Sequence, residues 1–200
     1  MSVARQNTLV RQRQIIEAAR NLITTRGMES VTIDAIAEEV GLTEGAIYRH
    51  FASKRQILSL LVDDIERNLL ETVEGAQTQG SLALESLAHI MEAHLSDVEG
   101  RRAVSFIVIA EAMGFDGTGL ASRVSLMFTR YLELIQAVLD RGIREGGIRP
   151  DVDTNAAATM FFGLIQSTAT LWALDGYSAR LAEFRSHMWD IYRKGIISSG

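Results

Sequence analysis

The chain has 200 residues, 47% of them hydrophobic and 22% charged, with one proline and no cysteine. That length supports one or two domains with a real core, and the lack of thiols excludes a disulfide framework or a thiolate metal site. The net charge of −5 does not mark a nucleic-acid binder, but residues 1–55 hold eight Lys/Arg against six acids and the remainder twelve against nineteen, a weakly basic head on an acidic body.

The N-terminal arm carries Arg5, Arg11 and Arg13 ahead of the first acid, Glu17. It lacks an apolar segment followed by a small-residue cleavage site, so the chain is read as cytoplasmic. Ile15, Ile16, Ala19, Leu22 and Ile23 then form the apolar stripe of a first helix ending near Gly27. In "SVTIDAIAEEVGL", Thr32 is the expected N-cap of a short second helix, and Ile33, Ile36, Ala37 and Val40 follow helical spacing. Gly41 is the expected left-handed stop.

The next stretch, "GLTEGAIYRHF", reads as a third helix capped by Thr43, with Ile47 and Phe51 turned inward. Thr43, Glu44, Gly45, Tyr48, Arg49 and His50 are then left on the outer or leading face. Two short helices joined by a Gly-containing turn and braced by a longer one make a helix-turn-helix unit, narrow enough to enter a DNA major groove. Thr32 and Lys54, at the starts of the second and fourth helices, flank that face and suit phosphate contacts.

At these residues the sequence resembles the TetR family of bacterial transcriptional regulators. The resemblance runs through residues 15–58 and rests on the Ala-Ala of helix one, Gly27, Thr32, Ile36-Ala37, Gly41 and "GAIYRHF" followed by Lys54. It implies that Thr32, Thr43, Gly45, Tyr48, His50 and Lys54 face DNA. Glu44 departs from the small or basic residue common there; a carboxylate at that place suits the helix N-terminus or accepts from cytosine N4.

Beyond residue 58 the pattern gives helices over 81–98, 101–113, about 120–145, 154–174 and about 179–197, with a Gly-rich break at 114–119 and a turn, "GGIRPDVD", at 146–153. The expected fold is therefore all-α with about nine helices: a helix-turn-helix DNA-binding domain over 1–53 and a ligand-binding and dimerisation domain over 54–200. Residues 154–174 contain no charge and are long enough to span a bilayer. Their seven Thr, Ser, Asn and Gln side chains argue instead for a helix at a bundle centre or an oligomer interface, so no membrane association is expected. Ala157, Phe162, Trp172 and Trp189 on the last two helices are the candidate dimer contacts, and the resemblance implies dimerisation through those helices.

His94, Phe106, Glu111, Met113, Met127, Phe128, Tyr131, Phe161 and Gln166 are candidate pocket residues. They combine large or adaptable side chains with a few polar groups able to orient a ligand. The resemblance implies a small, largely apolar effector there. No P-loop, GxGxxG or GxSxG occurs, and His89 and His94 are five apart rather than the four that stacks zinc ligands on a helix. No catalytic residue, metal or cofactor is expected. The expected protein is a homodimeric regulator, a repressor, on an inverted-repeat DNA operator; the alternative is a helical small-molecule-binding protein without sequence-specific DNA binding.

Overall fold

The computed structural model describes residues 3–48, 51, 53–78, 82–114, 119–178 and 181–198. Among them the order is α1 (Val3–Arg26), a 3-10 turn (Met28–Ser30), α2 (Ile33–Val40), α3 (Glu44–Tyr48), α4 (Lys54–Thr78), α5 (Ala83–Gly100), α6 (Val104–Gly114), α7 (Leu120–Arg144), α8 (Thr154–Leu174) and α9 (Leu181–Ile196). No strand occurs among the described residues; one isolated bridge pairs Ile148 with Ile197. The protein is all-α, as its periodicity predicts.

Packing groups the chain into two compact units, one of residues 1–65 with 104–124, the other of 66–103 with 125–200. α4 and α7 each contribute to both. This partition follows contact and differs from the division at residue 53 expected from the sequence, because α6 and the first part of α4 are grouped with the N-terminal helices.

In the first unit α1 packs on α2 and α6, and α2 on α3. Ile15, Ala19, Leu22, Ile36, Ile47 and Leu58 are buried together as its core. Two ion pairs hold α4 in place there: Arg20 of α1 with Asp64, and Arg123 of α7 with Asp63. Arg5, Arg11 and Arg13 stand on α1 itself rather than on an extended arm.

In the second unit α5, α8 and α9 pack on one another. Tyr131, Phe161, Leu87, Ile90 and Met91 are wholly buried. Ser86, also buried, donates to the Ala76 carbonyl at 3.1 Å and accepts from Arg141 at 2.8 Å. Gly142 has no room for a side chain: a Cβ there would lie 2.8 Å from Ile148 Cγ1 and 3.0 Å from Ala83 Cβ. Asp153 caps α8 by accepting from Asn155 and Ala156 N–H at 3.0 Å. Arg149 donates to the Gly195 carbonyl at 2.9 Å, a cation on the C-terminal end of α9.

α8 is long and apolar enough to cross a membrane by length and composition. It packs on α5 and α9, burying Ala157, Ala158, Phe161, Ile165, Ala169 and Trp172.

Candidate nucleic-acid interface and effector residues

The helix-turn-helix geometry follows from three local choices of sequence. Thr32 is extended (φ −122°, ψ 161°) and its hydroxyl accepts from the Ala35 N–H, satisfying one of the orphan donors of α2. Gly41 takes the left-handed conformation (φ 71°, ψ 37°). It donates to the Glu38 carbonyl at 3.1 Å while Leu42 donates to Ala37 at 2.8 Å, the double closure that ends a helix sharply. The Thr43 carbonyl then accepts from Ala46 at 2.9 Å and starts α3.

α3 is anchored by Ile47, which is 0% exposed, while its neighbour Tyr48 is 51% exposed. Thr43, Glu44 and Gly45 also face solvent. Phe51 is buried, so the inward pair expected from the sequence is present. Arg49 and His50 lie outside the described residues. Thr32 is exposed at the start of α2, although its hydroxyl is engaged in the cap.

Lys54 opens α4 half-buried, not as a free cation. Its ammonium lies 3.4 Å from the Glu111 carboxylate of α6 and donates to the Met28 carbonyl at 3.4 Å. Of the nine pocket candidates, Phe106, Glu111 and Met113 belong to α6 in the first unit. Glu111 lines an open cleft of about 530 Å³ there with Ile107, Ala110 and Gly114; Met113 is exposed and Phe106 half-buried.

The other six belong to the second unit. His94 and Tyr131 pack with ring centroids 5.5 Å apart. Phe162 lies 5.8 Å from the Tyr131 ring and 4.9 Å from Phe128. Met127 is buried and Gln166 half-buried. Phe161 is buried beside Tyr192, at 5.5 Å. Burial pushes both phenols upward, and the neighbouring Tyr192 adds to the effect at Tyr131. Burial also lowers the His94 imidazole to about 4. Although His94 keeps some exposed surface, its Nε2 is wholly covered and, like the Tyr131 hydroxyl, has no hydrogen-bond partner.

The four dimer candidates separate in the same way. Ala157 and Trp172 are buried within the subunit, Phe162 joins the aromatic cluster, and Trp189 is half-buried beside Tyr192. Among the described residues, the large apolar side chains left exposed on α8 and α9 are others: Met160, Leu171, Leu174 and Ile191. On a helix with no charged face, sequence spacing alone does not tell which apolar side turns inward; a charged stripe would have supplied the phase.

Residues 15–61 match the bacterial regulatory proteins described as the tetR family, and residues 55–195 match the C-terminal region of YsiA-like proteins. The fatty acid metabolism regulator protein of Bacillus subtilis is 26% identical over 183 residues, 92% of this chain and 94% of that one. The nucleoid occlusion factor SlmA of Photobacterium profundum is 26% identical over 183 residues, 90% and 93% of the two chains. Among solved structures, FadR from Bacillus subtilis in complex with stearoyl-CoA superposes with a TM-score of 0.77, covering 92% of this chain and 98% of that chain at 26% identity.

Proposed function

The chain belongs to the TetR family of bacterial regulatory proteins, and on that premise we propose that it represses transcription as a cytoplasmic homodimer whose hold on an operator is relieved by a largely apolar small molecule. The observation that carries the DNA-binding part is α3: Ile47 pins one side of it at 0% exposure, leaving Thr43, Glu44, Gly45 and Tyr48 facing solvent. Residues 1–53 are the reading head, with Arg49 and His50 next in the chain and Thr32 and Lys54 as the flanking backbone contacts.

A two-fold dimer sets two α3 helices in successive major grooves, about 34–36 Å apart, and calls for an inverted repeat. The exposed apolar side of α8 and α9 supports that assembly. Leu174 is 79% and Ile191 74% exposed in the single chain, and such side chains on adjoining helices suit burial by a second copy. Ala157 and Trp172 are buried within the subunit, while Phe162 and Trp189 are half-buried and keep surface that a second copy would cover.

The effector reading draws on the regulator of fatty acid metabolism and on the FadR complex with stearoyl-CoA. It makes acyl-bearing molecules the first class to screen. α4, which contributes to both packing units, is the element through which ligand binding would alter the heads. Nearly complete release requires about 10⁴-fold preference for the non-binding form.

The test is selection of random duplex DNA by the purified protein, with the enriched sequences read out at moderate salt. Enrichment of an inverted repeat supports the reading, and acyl compounds are then screened for release of that DNA. Binding that shows no sequence preference would leave a helical ligand-binding protein without an operator.

A further inference from the structure

We propose that His94 and Tyr131 form the polar end of the effector subsite in the second unit, holding the uncharged hydroxyl or carbonyl oxygen of a largely apolar molecule. This rests on the effector-responsive reading above and specifies what the effector must carry.

The argument begins with hydrogen bonds that are missing. Among the described residues, three covered side-chain atoms lack a partner: His94 Nε2, Tyr131 OH and Arg141 Nε. Arg141 is compensated nearby, with the Glu145 carboxylate 3.6 Å from that nitrogen and Ser86 bonded to another. Tyr192, also buried, donates its hydroxyl to the Ala157 carbonyl at 3.0 Å. His94 and Tyr131 have no such relief, and both unsatisfied groups belong to one pair of rings 5.5 Å apart. Folded proteins pair nearly all of their buried polar atoms, so two adjacent exceptions point to a function that needs them free.

The surroundings define what could pair with them. The residues one turn away on the same helix faces are Ile90 and Val98 for His94, and Met127 and Ile135 for Tyr131, all buried. Phe162 packs against the Tyr131 ring. Three charged residues along α5 and α7 are engaged elsewhere: Glu92 with Arg185, Asp97 with Arg101, Arg130 with Glu66.

Burial keeps the imidazole neutral and the phenol protonated near neutral pH. The pair therefore offers one O–H donor and one imidazole nitrogen, and no charge to balance a carboxylate or an ammonium. A hydroxyl oxygen accepts from Tyr131 and donates to an unprotonated Nε2; a carbonyl oxygen accepts from both when Nε2 carries the proton. Charged groups entering this environment would lose hydration without a counter-ion.

The experiment measures thermal shift and binding of decanol, decanoate and decylammonium, with their hexyl and tetradecyl counterparts, to the full chain at neutral pH. The same titrations are run on Tyr131→Phe and His94→Phe. The expected result is that at least one alcohol binds about tenfold more tightly than its charged counterparts. Tyr131→Phe should remove that preference while leaving the unliganded melting temperature unchanged or higher, since the lost hydroxyl had no partner.

Equal or tighter binding of the charged probes, no binding by any probe, or a preference retained in both variants would overturn the proposal. An effector that releases the operator with equal potency from wild type and both variants refutes the anchor and leaves the regulator reading standing. An alcohol held through Tyr131 that leaves the operator complex intact supports the anchor and refutes the effector reading.

Discussion

Lys54 and Glu111 face each other across 3.4 Å, joining the first residue of α4 to the middle of α6. Sequence spacing suggests unrelated tasks for them, a phosphate contact and a pocket lining. Their pairing means that a DNA phosphate reaching Lys54 competes with a carboxylate already present. The consequence is a stated direction of effect: Glu111→Gln should strengthen DNA binding by about 0.2–1 kcal/mol, the ordinary strength of a partly exposed pair. Lys54→Ala should weaken binding evenly across sequences and lower the salt slope by about 1. Fluorescence anisotropy over a salt series reads both, and an unchanged affinity in Glu111→Gln would remove the competition from the account.

Tyr48 stands beside the buried Ile47 with its side chain exposed. If it reaches a base edge or sugar, Tyr48→Ala costs roughly 1–3 kcal/mol of specific binding and leaves nonspecific binding nearly unchanged. Parallel titration of the selected operator and a scrambled duplex separates the two. Equal losses on both duplexes would reassign Tyr48 to backbone contact.

Gly142 tests the close approach inside the second unit. Its substitution by Ala forces the new methyl against Ile148 and Ala83, and overpacking of this type costs about 1–3 kcal/mol. Gly41→Ala acts differently, since nothing crowds that position; the cost is the left-handed backbone at φ 71°, about 1–2 kcal/mol. Denaturant unfolding should show both losses. The helix-turn-helix variant alone should also weaken DNA binding at temperatures well below unfolding.

His94 supplies a pH dependence whose sign follows from its environment. Burial lowers its folded value from 6.5 to about 4. Between those limits the unfolded chain holds a proton that the native chain does not, so stability rises with pH across the window. The contribution is complete above about pH 6.5 and is lost as pH falls toward 4, on the order of 3 kcal/mol in all. Unfolding followed from pH 7 to pH 4 should therefore be shallower in His94→Phe than in wild type.

Leu171 and Ile191 test the assembly. Both project from the exposed side of the last two helices, so Leu171→Asp or Ile191→Asp should yield a monomer by sedimentation, with operator affinity reduced because two half-sites no longer bind together. Trp172→Ala should instead lower the stability of the subunit, since its ring is buried against Tyr177 at 4.8 Å. Dimers that survive both aspartates would place the interface elsewhere.

The division between sequence and tertiary structure is seen most clearly in two pairs of residues. Thr32 and Gly41 bound α2 where their chemistry predicts, since a capping hydroxyl and a left-handed glycine act within one turn of chain. The inward turn of Ile47 and Phe51 was legible for the same reason: four-residue spacing defines a face, and a polar remainder defines its opposite.

Phe162 and Trp172 were not assignable in this way. α8 is apolar or uncharged around its circumference, so its sequence carries no phase, and only packing on α5 and α9 decided that Trp172 turns inward while Leu171 does not. The partnerships of Lys54 with Glu111 and of His94 with Tyr131 likewise join residues far apart in the chain. Local pattern determined the helices, the caps of α2 and the exposed face of α3; which buried polar groups met a partner was decided in three dimensions, because hydrogen bonding depends on distances that sequence separation does not set.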